Sequence, residues 1–466
     1  MYQEQHETFS AEPPPPRSNR ALIVIAAVAI AAIGLIVCCI GAFGLAYWQT
    51  NGFEAWLSAP TETPTRAARP IATTTRIAST EPTTLAQTTP TPGQKPKVEP
   101  TPNKPTPTPP PVPKAKPLKM NSPEYGIQAF LWWRNETAAR DNNMLLYGGF
   151  SWVKQGFAWR DLESAGKGKF DWSRADNVVY LANANNVDIL ARVDNAPEWA
   201  APGCFSVEKK SMGPARNQQD WVDFLTAFVT RYKGRIRAYE IWNEPNLSRE
   251  WCNRPPNPTE YVALLKISYQ TIKAIDPNAM IISAGLTPTT ASNDEAMPDA
   301  VFVQKMYDAM RNNSTGYFDV LGIHAPGFKA PPEMSPDDVA KNPAYNNGEQ
   351  GTGRIYAFRH AEDIRKIMVE RGDSNKQIAI LEFGWTSDPI HPAYSWFRVD
   401  EQTKAKYIVG AYQYAKKNWS PWIGAMFLIY LSNPDWTKDY EEYWWAITEP
   451  NGDPRPAALE LKKMPK

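Results

Sequence analysis

Short apolar runs of strand length alternate with longer segments of helical periodicity from residue 125 to the end of the chain. Eight such strand–helix units in about 345 residues match the number and length expected of a (β/α)8 barrel, the α/β fold also called the TIM barrel. An open doubly wound sheet is the alternative, but no Gly-rich phosphate loop follows any of the runs. The predicted strands are residues 125–130, 151–159, 187–193, 236–242, 279–286, 318–324, 377–383 and 423–431. The predicted helices are residues 135–147, 173–183, 218–232, 259–275, 299–311, 354–371, 400–416 and 455–463.

The fourth and seventh apolar runs each place a glutamate at or near their C-terminal end. Glu244 follows the fourth run and precedes Pro245, which cannot donate a hydrogen bond to the strand ladder and therefore ends the strand. Glu382 is the second-last residue of the seventh run. In a parallel barrel the C-terminal ends of the strands form the active-site face. Two carboxyl groups there suit glycosidic bond cleavage, in which one protonates the leaving oxygen and the other attacks the anomeric carbon.

Two short motifs carry a resemblance to a known group of enzymes. Residues 239–246, Tyr-Glu-Ile-Trp-Asn-Glu-Pro-Asn, and residues 381–385, Leu-Glu-Phe-Gly-Trp, are similar to the strand 4 and strand 7 motifs of the retaining (β/α)8 glycoside hydrolases of clan A. Within that clan the chain most resembles family 39, the β-xylosidases and α-L-iduronidases, followed by the cellulase-like family 5. The resemblance implies a glycosidase without a cofactor, with Glu244 as acid/base and Glu382 as nucleophile.

The same resemblance suggests roles for two further residues. Asn243 would hold the sugar hydroxyl next to the reacting carbon, and His324 matches a histidine that the clan often places near the nucleophile. The clan's frequent His-x-Tyr sequence is His324-Ala-Pro326 in this chain. This departure removes the tyrosine expected to orient Glu382. A hydrogen-bonded core histidine is the alternative interpretation of His324.

Each glutamate alone could cap a helix or pair with an arginine, but the two together with the strand 4 motif indicate catalysis. Strand alternation places Glu240, Trp242 and Glu244 on one face, so we interpret Glu240 as a structural residue deeper in the barrel, with Arg192 as its candidate partner. Two other functions remain open. One is a catalytically inactive glycan-binding or cell-envelope scaffolding barrel, and the other is a transglycosylase.

The chain contains 18 tryptophans. Sugar rings pack their C–H faces on aromatic rings, so tryptophans near the strand ends are candidates for the walls of a glycan cleft. The cleft candidates are Trp159, Trp199, Trp385, Trp396 and Trp436.

Cys204 and Cys252 lie in polar loops after the third and fourth predicted strands. If the barrel lies outside the cytoplasm, these two cysteines are expected to form a disulfide that joins the loops. The alternative is two unpaired thiols.

The formal net charge of +1 provides no general attraction for nucleic acid or another polyanion. The chain has only 4 histidines, without the spacing of metal ligands, so no metal site is predicted. We expect carbohydrate as the partner and a monomer as the assembly.

The prolines are concentrated before residue 120, where 20 of the 44 lie and the composition is not that of a folded domain. Residues 1–20 are predicted to be a disordered cytoplasmic tail and residues 49–118 a disordered Pro/Thr-rich linker. Residues 21–48 contain no charged side chain and are long enough for a transmembrane anchor helix. Residues 119–466 would form the catalytic domain. The basic residues before the anchor favour a cell-membrane protein that crosses once, with the barrel outside.

Overall fold

The computed structural model describes residues 111–131, 135–207, 211–349 and 351–466. Eight parallel strands form a closed barrel in sequence order, in which β1 also pairs with β8. The prediction of a (β/α)8 barrel is therefore confirmed. The strands are β1 (Glu124–Gln128), β2 (Trp152–Gly156), β3 (Asp188–Val193), β4 (Ala238–Ile241), β5 (Met280–Ser283), β6 (Val320–His324), β7 (Gln377–Phe383) and β8 (Ile423–Leu428).

The predicted tail and membrane anchor, and nearly all of the predicted linker, lie outside the described residues. Among the helices of the described ranges, none has the length and apolar character needed to cross a bilayer.

Eight helices surround the barrel. They are α1 (Asn135–Tyr147), α2 (Ser173–Ala184), α3 (Gln218–Tyr232), α4 (Pro258–Ile275), α5 (Asp299–Ala309), α6 (His360–Glu370), α7 (Glu401–Asn418) and α8 (Pro456–Lys463). The predicted helix over residues 354–371 is divided, because Ala357 is extended between a 3-10 turn at Gly353–Tyr356 and α6. Several predicted strands were too long, since apolar residues beyond the ladder, such as Phe157 and Trp159, are buried beneath the helices instead.

Both faces of the barrel sheet are buried, which explains why the strand runs contain few polar residues. Outward-facing residues such as Ile378 and Ile380 pack under the helices, whereas Ala379 and Leu381 fill the barrel interior. This burial removes both faces of the sheet from water, which stabilises the barrel. The interior layer consists of Met120, Trp152, Leu190, Ala238, Met280, Ile282, Val320, Ala379, Leu381, Ala425 and Phe427.

The barrel interior becomes charged immediately above this apolar layer, toward the C-terminal strand ends. Lys154, Arg192 and Glu240 each lie two residues after a member of the apolar layer and therefore face the interior. Buried charged groups need oppositely charged or hydrogen-bonding partners. The positions of these three side chains therefore determine where the functional groups lie.

Candidate active site

The loop after β4 holds Glu244 in an uncommon backbone conformation. Glu244 has φ of 41°, and Trp242 before it has φ of 73°. Such positive φ values cost free energy in non-glycine residues and are concentrated at functional sites. The Glu244 amide donates to the Gly285 carbonyl at 3.0 Å, and the Glu244 carbonyl accepts from the Leu247 amide at 2.9 Å.

Strand alternation predicted the position of Trp242 wrongly. β4 ends at Ile241, and the positive φ of Trp242 takes its ring into the layer between barrel and helices. There the ring packs against Trp221 and Trp251. Trp242 therefore anchors the loop, while Glu244 reaches the cavity.

Asn246, the last residue of the strand 4 motif, joins two loops. Its side-chain Nδ2 donates to the carbonyls of Thr287 and Met297, both at 2.9 Å, and its Oδ1 accepts from the Thr287 amide at 3.1 Å. The residue is fully buried. Asn246 thus fixes the loop after β4 against the loop after β5.

Glu244 and Glu382 lie opposite each other across a small gap. One carboxylate oxygen of each, together with a ring nitrogen of His324, lie within 4.8 Å of one another. His324 Nδ1 is 3.1 Å from Glu244 Oε1 and 3.9 Å from Glu382 Oε2. A Cβ on Gly285 would lie 2.2 Å from two atoms of the His324 ring, so only glycine leaves room for this ring.

A β-bulge turns Glu382 into the barrel. In the register of β6 with β7, Ile323 pairs with Ile380 but His324 pairs with Glu382, so the pairing skips Leu381. Leu381 faces the interior, and simple alternation would therefore place Glu382 outward. The irregular register places both side chains inside, a known way to re-aim a residue at a functional site.

Lys154 on β2 contacts Glu382 directly. Its Nζ donates to Glu382 Oε1 at 3.1 Å and forms an ion pair with Glu240 Oε2 at 3.2 Å. Burial raises the pKa of Glu382, but the positive charges of Lys154, His324 and Arg192 outweigh this effect and hold that pKa below its usual value. Sequence reasoning missed Lys154, although a lysine within a short apolar run is an unusual signal.

Glu240 is fully buried, but its ion pair is not with Arg192, the predicted partner. Its ion pair is with Lys154, whereas Arg192 forms an ion pair with Asp194 at 2.9 Å and lies 3.8 Å from Glu382 Oε1. Arg192 neighbours Glu240 in the backbone register of β3 and β4, and the two side chains interact through their charges at a longer distance than an ion pair. Burial raises the pKa of Glu240 despite the nearby cations.

Glu244 has its own cation. Arg249 donates to Glu244 Oε2 at 2.9 Å from the loop after β4. Burial raises the pKa of Glu244, but the hydrogen bond and charge of His324 and the charge of Arg249 outweigh it and lower the pKa. These contacts therefore favour the ionised forms of both carboxyl groups.

These groups line a cavity of about 580 Å³ at the C-terminal ends of the strands. Among the predicted site residues, those that line it are Asn243, Glu244, His324, Glu382, Trp396 and Trp436. Aromatic residues that were not predicted also line it, namely Phe130, Phe328, Tyr356, Tyr394, Phe397, Tyr430 and Trp445. The cavity thus combines two carboxylates with walls suited to sugar rings.

The remaining predicted cleft tryptophans lie outside the cavity, so those predictions were wrong. Trp159 is fully buried and stacks on Phe224, and Trp199 packs edge-on against Trp159. Trp385 is fully buried, and its indole donates to the Ala330 carbonyl at 3.0 Å. Proximity to a strand end in sequence does not distinguish a ring that faces the cavity from one that packs beneath a loop.

Cys204 and Cys252 are joined by a disulfide with an S–S distance of 2.00 Å. The bond connects the loop after β3 to the loop after β4, which carries Glu244 and Arg249.

The described residues also include one set of groups with the spacing of cation ligands, formed by Glu244, His324 and Glu382. Lys154 and Arg249 already contact the same carboxylates.

Comparisons with known proteins agree with this architecture. No model of a known protein family matches the chain. An alignment over 134 residues, which covers 26% of this chain and 26% of the relative, is 27% identical to the beta-xylosidase of Geobacillus stearothermophilus.

Solved structures share the barrel fold. A family 39 glycoside hydrolase from Bacteroides cellulosilyticus WH2 has a TM-score of 0.54 at 19% identity over 75% of this chain and 64% of that protein. A monomeric beta-xylosidase from Caulobacter crescentus CB15 has a TM-score of 0.50 at 18% identity over 74% of this chain and 69% of that protein. Together, these similarities confirm the predicted resemblance of the chain to clan A glycoside hydrolases of the family 39 type.

Proposed function

We propose that the protein is a retaining glycoside hydrolase that cleaves O-glycosidic bonds of oligo- or polysaccharides. The observation that carries the proposal is the approach of Glu244 and Glu382, whose nearest oxygens lie within 4.8 Å. Retaining enzymes hold their two carboxyl groups about 5 to 5.5 Å apart, whereas inverting enzymes need about 6.5 to 9.5 Å to admit a water molecule. The observed separation supports the retaining mechanism.

In the proposed first step, a Glu382 oxygen attacks the anomeric carbon while the bond from that carbon to the leaving oxygen breaks. Glu244 gives its proton to the leaving oxygen, so the first product departs as an alcohol. In the second step, Glu244 takes a proton from water, and the resulting hydroxide attacks the anomeric carbon and releases Glu382. The contact with Lys154 supports the nucleophile role of Glu382. Lys154 binds one oxygen and its charge favours the ionised carboxylate, while the other oxygen remains available for the attack.

Glu244 must hold a proton before the first step, although its contacts with His324 and Arg249 favour the ionised form. The Arg249 side chain is 49% exposed and can be displaced by an incoming sugar. Loss of that cation and exclusion of water would both raise the pKa of Glu244. Glycosylation of Glu382 then removes a neighbouring negative charge, which favours the ionised Glu244 required for the second step.

The cavity supports a carbohydrate substrate. Its volume of about 580 Å³ lies within the usual range for small-molecule sites, and Trp396 and Trp436 present aromatic surface to it. Asn243 Oδ1 is buried without a partner among the described residues and is available to a sugar hydroxyl. Because two of the similar proteins described above are β-xylosidases, a β-xyloside is the first substrate to test.

The test uses chromogenic glycosides with the wild-type protein and the variants Glu244→Gln and Glu382→Gln. Hydrolysis by wild type alone, with retained configuration in the product by NMR, supports the proposal. A 2-deoxy-2-fluoro glycoside should add one sugar mass to a peptide that contains Glu382. Wild-type binding of glycans without hydrolysis would instead indicate a scaffolding barrel, and transfer to an added acceptor sugar would indicate a transglycosylase.

We further propose that residues 21–48 anchor the protein in the cell membrane with the barrel outside. The support is the length of that segment, 28 residues without a charged side chain. Membrane fractionation of the full chain and of a chain that begins at residue 49 tests this proposal. Equal amounts of both in the soluble fraction would contradict it.

A further inference from the structure

Glu250 is a buried carboxyl group in the wall of the cavity that the proposed reaction does not use. It lies in the 3-10 turn Ser248–Trp251, directly before the disulfide-bonded Cys252. Its backbone carbonyl accepts from the indole of Trp242 at 3.0 Å, and the residue is only 5% exposed. The turn is therefore held from several sides, and the carboxyl group has a fixed position in the cavity lining.

One oxygen of this carboxyl group lacks a partner. Glu250 Oε2 is buried and makes no hydrogen bond with any residue in the described part of the chain. A buried polar atom without a partner destabilises a folded protein by about 1 to 3 kcal/mol. Such atoms are rare in native proteins and require an explanation. Because Glu250 borders the cavity, a bound ligand can supply the missing hydrogen bond.

The surroundings of Glu250 indicate the chemistry of that ligand. Burial and the negative charges of Glu244 and Asp194 raise the pKa of Glu250 to about 8, against the opposing charges of Arg249 and Arg192. At neutral pH the group is therefore mainly protonated and can donate a hydrogen bond. Arg249 Nε lies 4.0 Å from Glu250 Oε1, which disfavours a cationic amine. A neutral hydroxyl group, which both donates and accepts, fits either protonation state.

We infer that Glu250 is a specificity-determining residue that binds one hydroxyl group of the sugar through its carboxyl group. This inference rests on the proposed glycosidase function and deepens it, because it predicts that the site selects sugars that carry that hydroxyl group. A site built to bond a substrate hydroxyl rejects the analogue that lacks it much more strongly than an apolar pocket does.

The experiment compares wild type, Glu250→Met and Glu250→Gln on 4-nitrophenyl β-D-xyloside and its 2-, 3- and 4-deoxy analogues. Methionine keeps the side-chain length but cannot replace the hydrogen bond, so kcat/KM on the parent substrate should fall about 10- to 100-fold. For wild type, kcat/KM should be lower by a similar factor on one of the deoxy analogues than on the parent substrate. For E250M, kcat/KM on that analogue should be no lower than on the parent substrate. E250Q, which can still donate and accept, should retain most of the parent activity.

Glu163→Gln is the matched control, because Glu163 is a buried carboxyl group outside the cavity that accepts from the indole of Trp159. Its kcat/KM should change by the same factor on every analogue. The inference would be overturned if kcat/KM of E250M fell by the same factor relative to wild type on every analogue, or did not fall at all. Either result would leave the glycosidase proposal intact. If E250M does not fold, E250Q decides: it should retain most of the parent activity and, like wild type, lose activity on one deoxy analogue, and equal activity on all of the substrates would overturn the inference. Absence of both hydrolysis and sugar binding in wild type would overturn both proposals.

Discussion

The Lys154 ammonium lies 3.1 Å from Oε1 of Glu382 and 3.2 Å from Oε2 of Glu240, so one buried cation serves two carboxylates. Lys154 is only 1% exposed and Glu240 is fully buried. The charge of Lys154 is therefore poorly screened by water and acts strongly on the ionisation of both neighbours. This arrangement makes the pKa of Glu382, the proposed nucleophile, sensitive to substitutions elsewhere in the site.

The Lys154→Met variant should shift the acidic limb of the pH dependence of kcat/KM to higher pH. In wild type the pKa of Glu382 is lowered, with the Lys154 charge as the largest lowering cause, so its removal raises that pKa. The ionised nucleophile is then lost at a higher pH as the medium is acidified, by on the order of one pH unit. Because Glu240 and Glu382 would lose their closest cation, thermal unfolding should establish that the variant is folded.

The Glu240→Gln variant should leave the same limb nearly unchanged. Burial raises the pKa of Glu240 above its usual value, whereas the pKa of Glu382 is lowered, so Glu240 is already mainly protonated in the pH range of this limb. Its replacement by glutamine therefore removes little charge. A limb that moves the same way in E240Q and K154M would show that the two residues act by shape rather than by charge.

Arg249→Met should extend activity to higher pH. Arg249 lowers the pKa of Glu244, and the basic limb reports the loss of the proton from this acid. Removal of the cation raises that pKa, so the acid keeps its proton to a higher pH. The measurement is the pH dependence of kcat/KM, with Arg254→Met as control, because Arg254 pairs with Glu260 outside the cavity. An unchanged basic limb in R249M would contradict the assignment of Glu244.

Gly285→Ala should lower kcat about 100-fold, the effect of displacing an active-site group by about 1 Å. The added Cβ would lie 2.2 Å from Nε2 of His324, so the ring must move away from Glu244. Gly156→Ala is the control, since a Cβ there meets its nearest atom, in Arg192, at 3.7 Å. Equal kcat values for the two variants would show that the position of His324 does not matter for turnover.

Loss of the disulfide in Cys204→Ser/Cys252→Ser should lower the free energy of unfolding by about 2 to 4 kcal/mol, because a cross-link over 48 residues restricts the unfolded chain. Activity should also fall, since Cys252 directly follows the turn that carries Arg249 and Glu250. Chemical denaturation and kcat/KM at one pH measure both effects. A fully active variant of lower stability would show that the bond stabilises the domain without positioning these side chains.

Much of the architecture could be predicted because it follows from local patterns. The apolar run over 377–383 coincides with β7, and the helical stripe over 218–232 coincides with α3, since strand and helix periodicities depend only on neighbouring residues. The pairing of Lys154 with Glu382 could not be predicted in this way. These residues are 228 positions apart and meet only after the barrel closes.

The sequence by itself determined the fold class and the two glutamates that the strand ends present, because burial of alternating and helical apolar patterns leaves few other arrangements. Only the tertiary structure decided which side chains face the cavity. The bulge in β7 turns Glu382 inward against simple alternation, and the positive φ of Trp242 turns its ring away from the barrel interior. Both result from packing and hydrogen bonding between strands and loops that are distant in sequence, and a local pattern contains no information about such contacts.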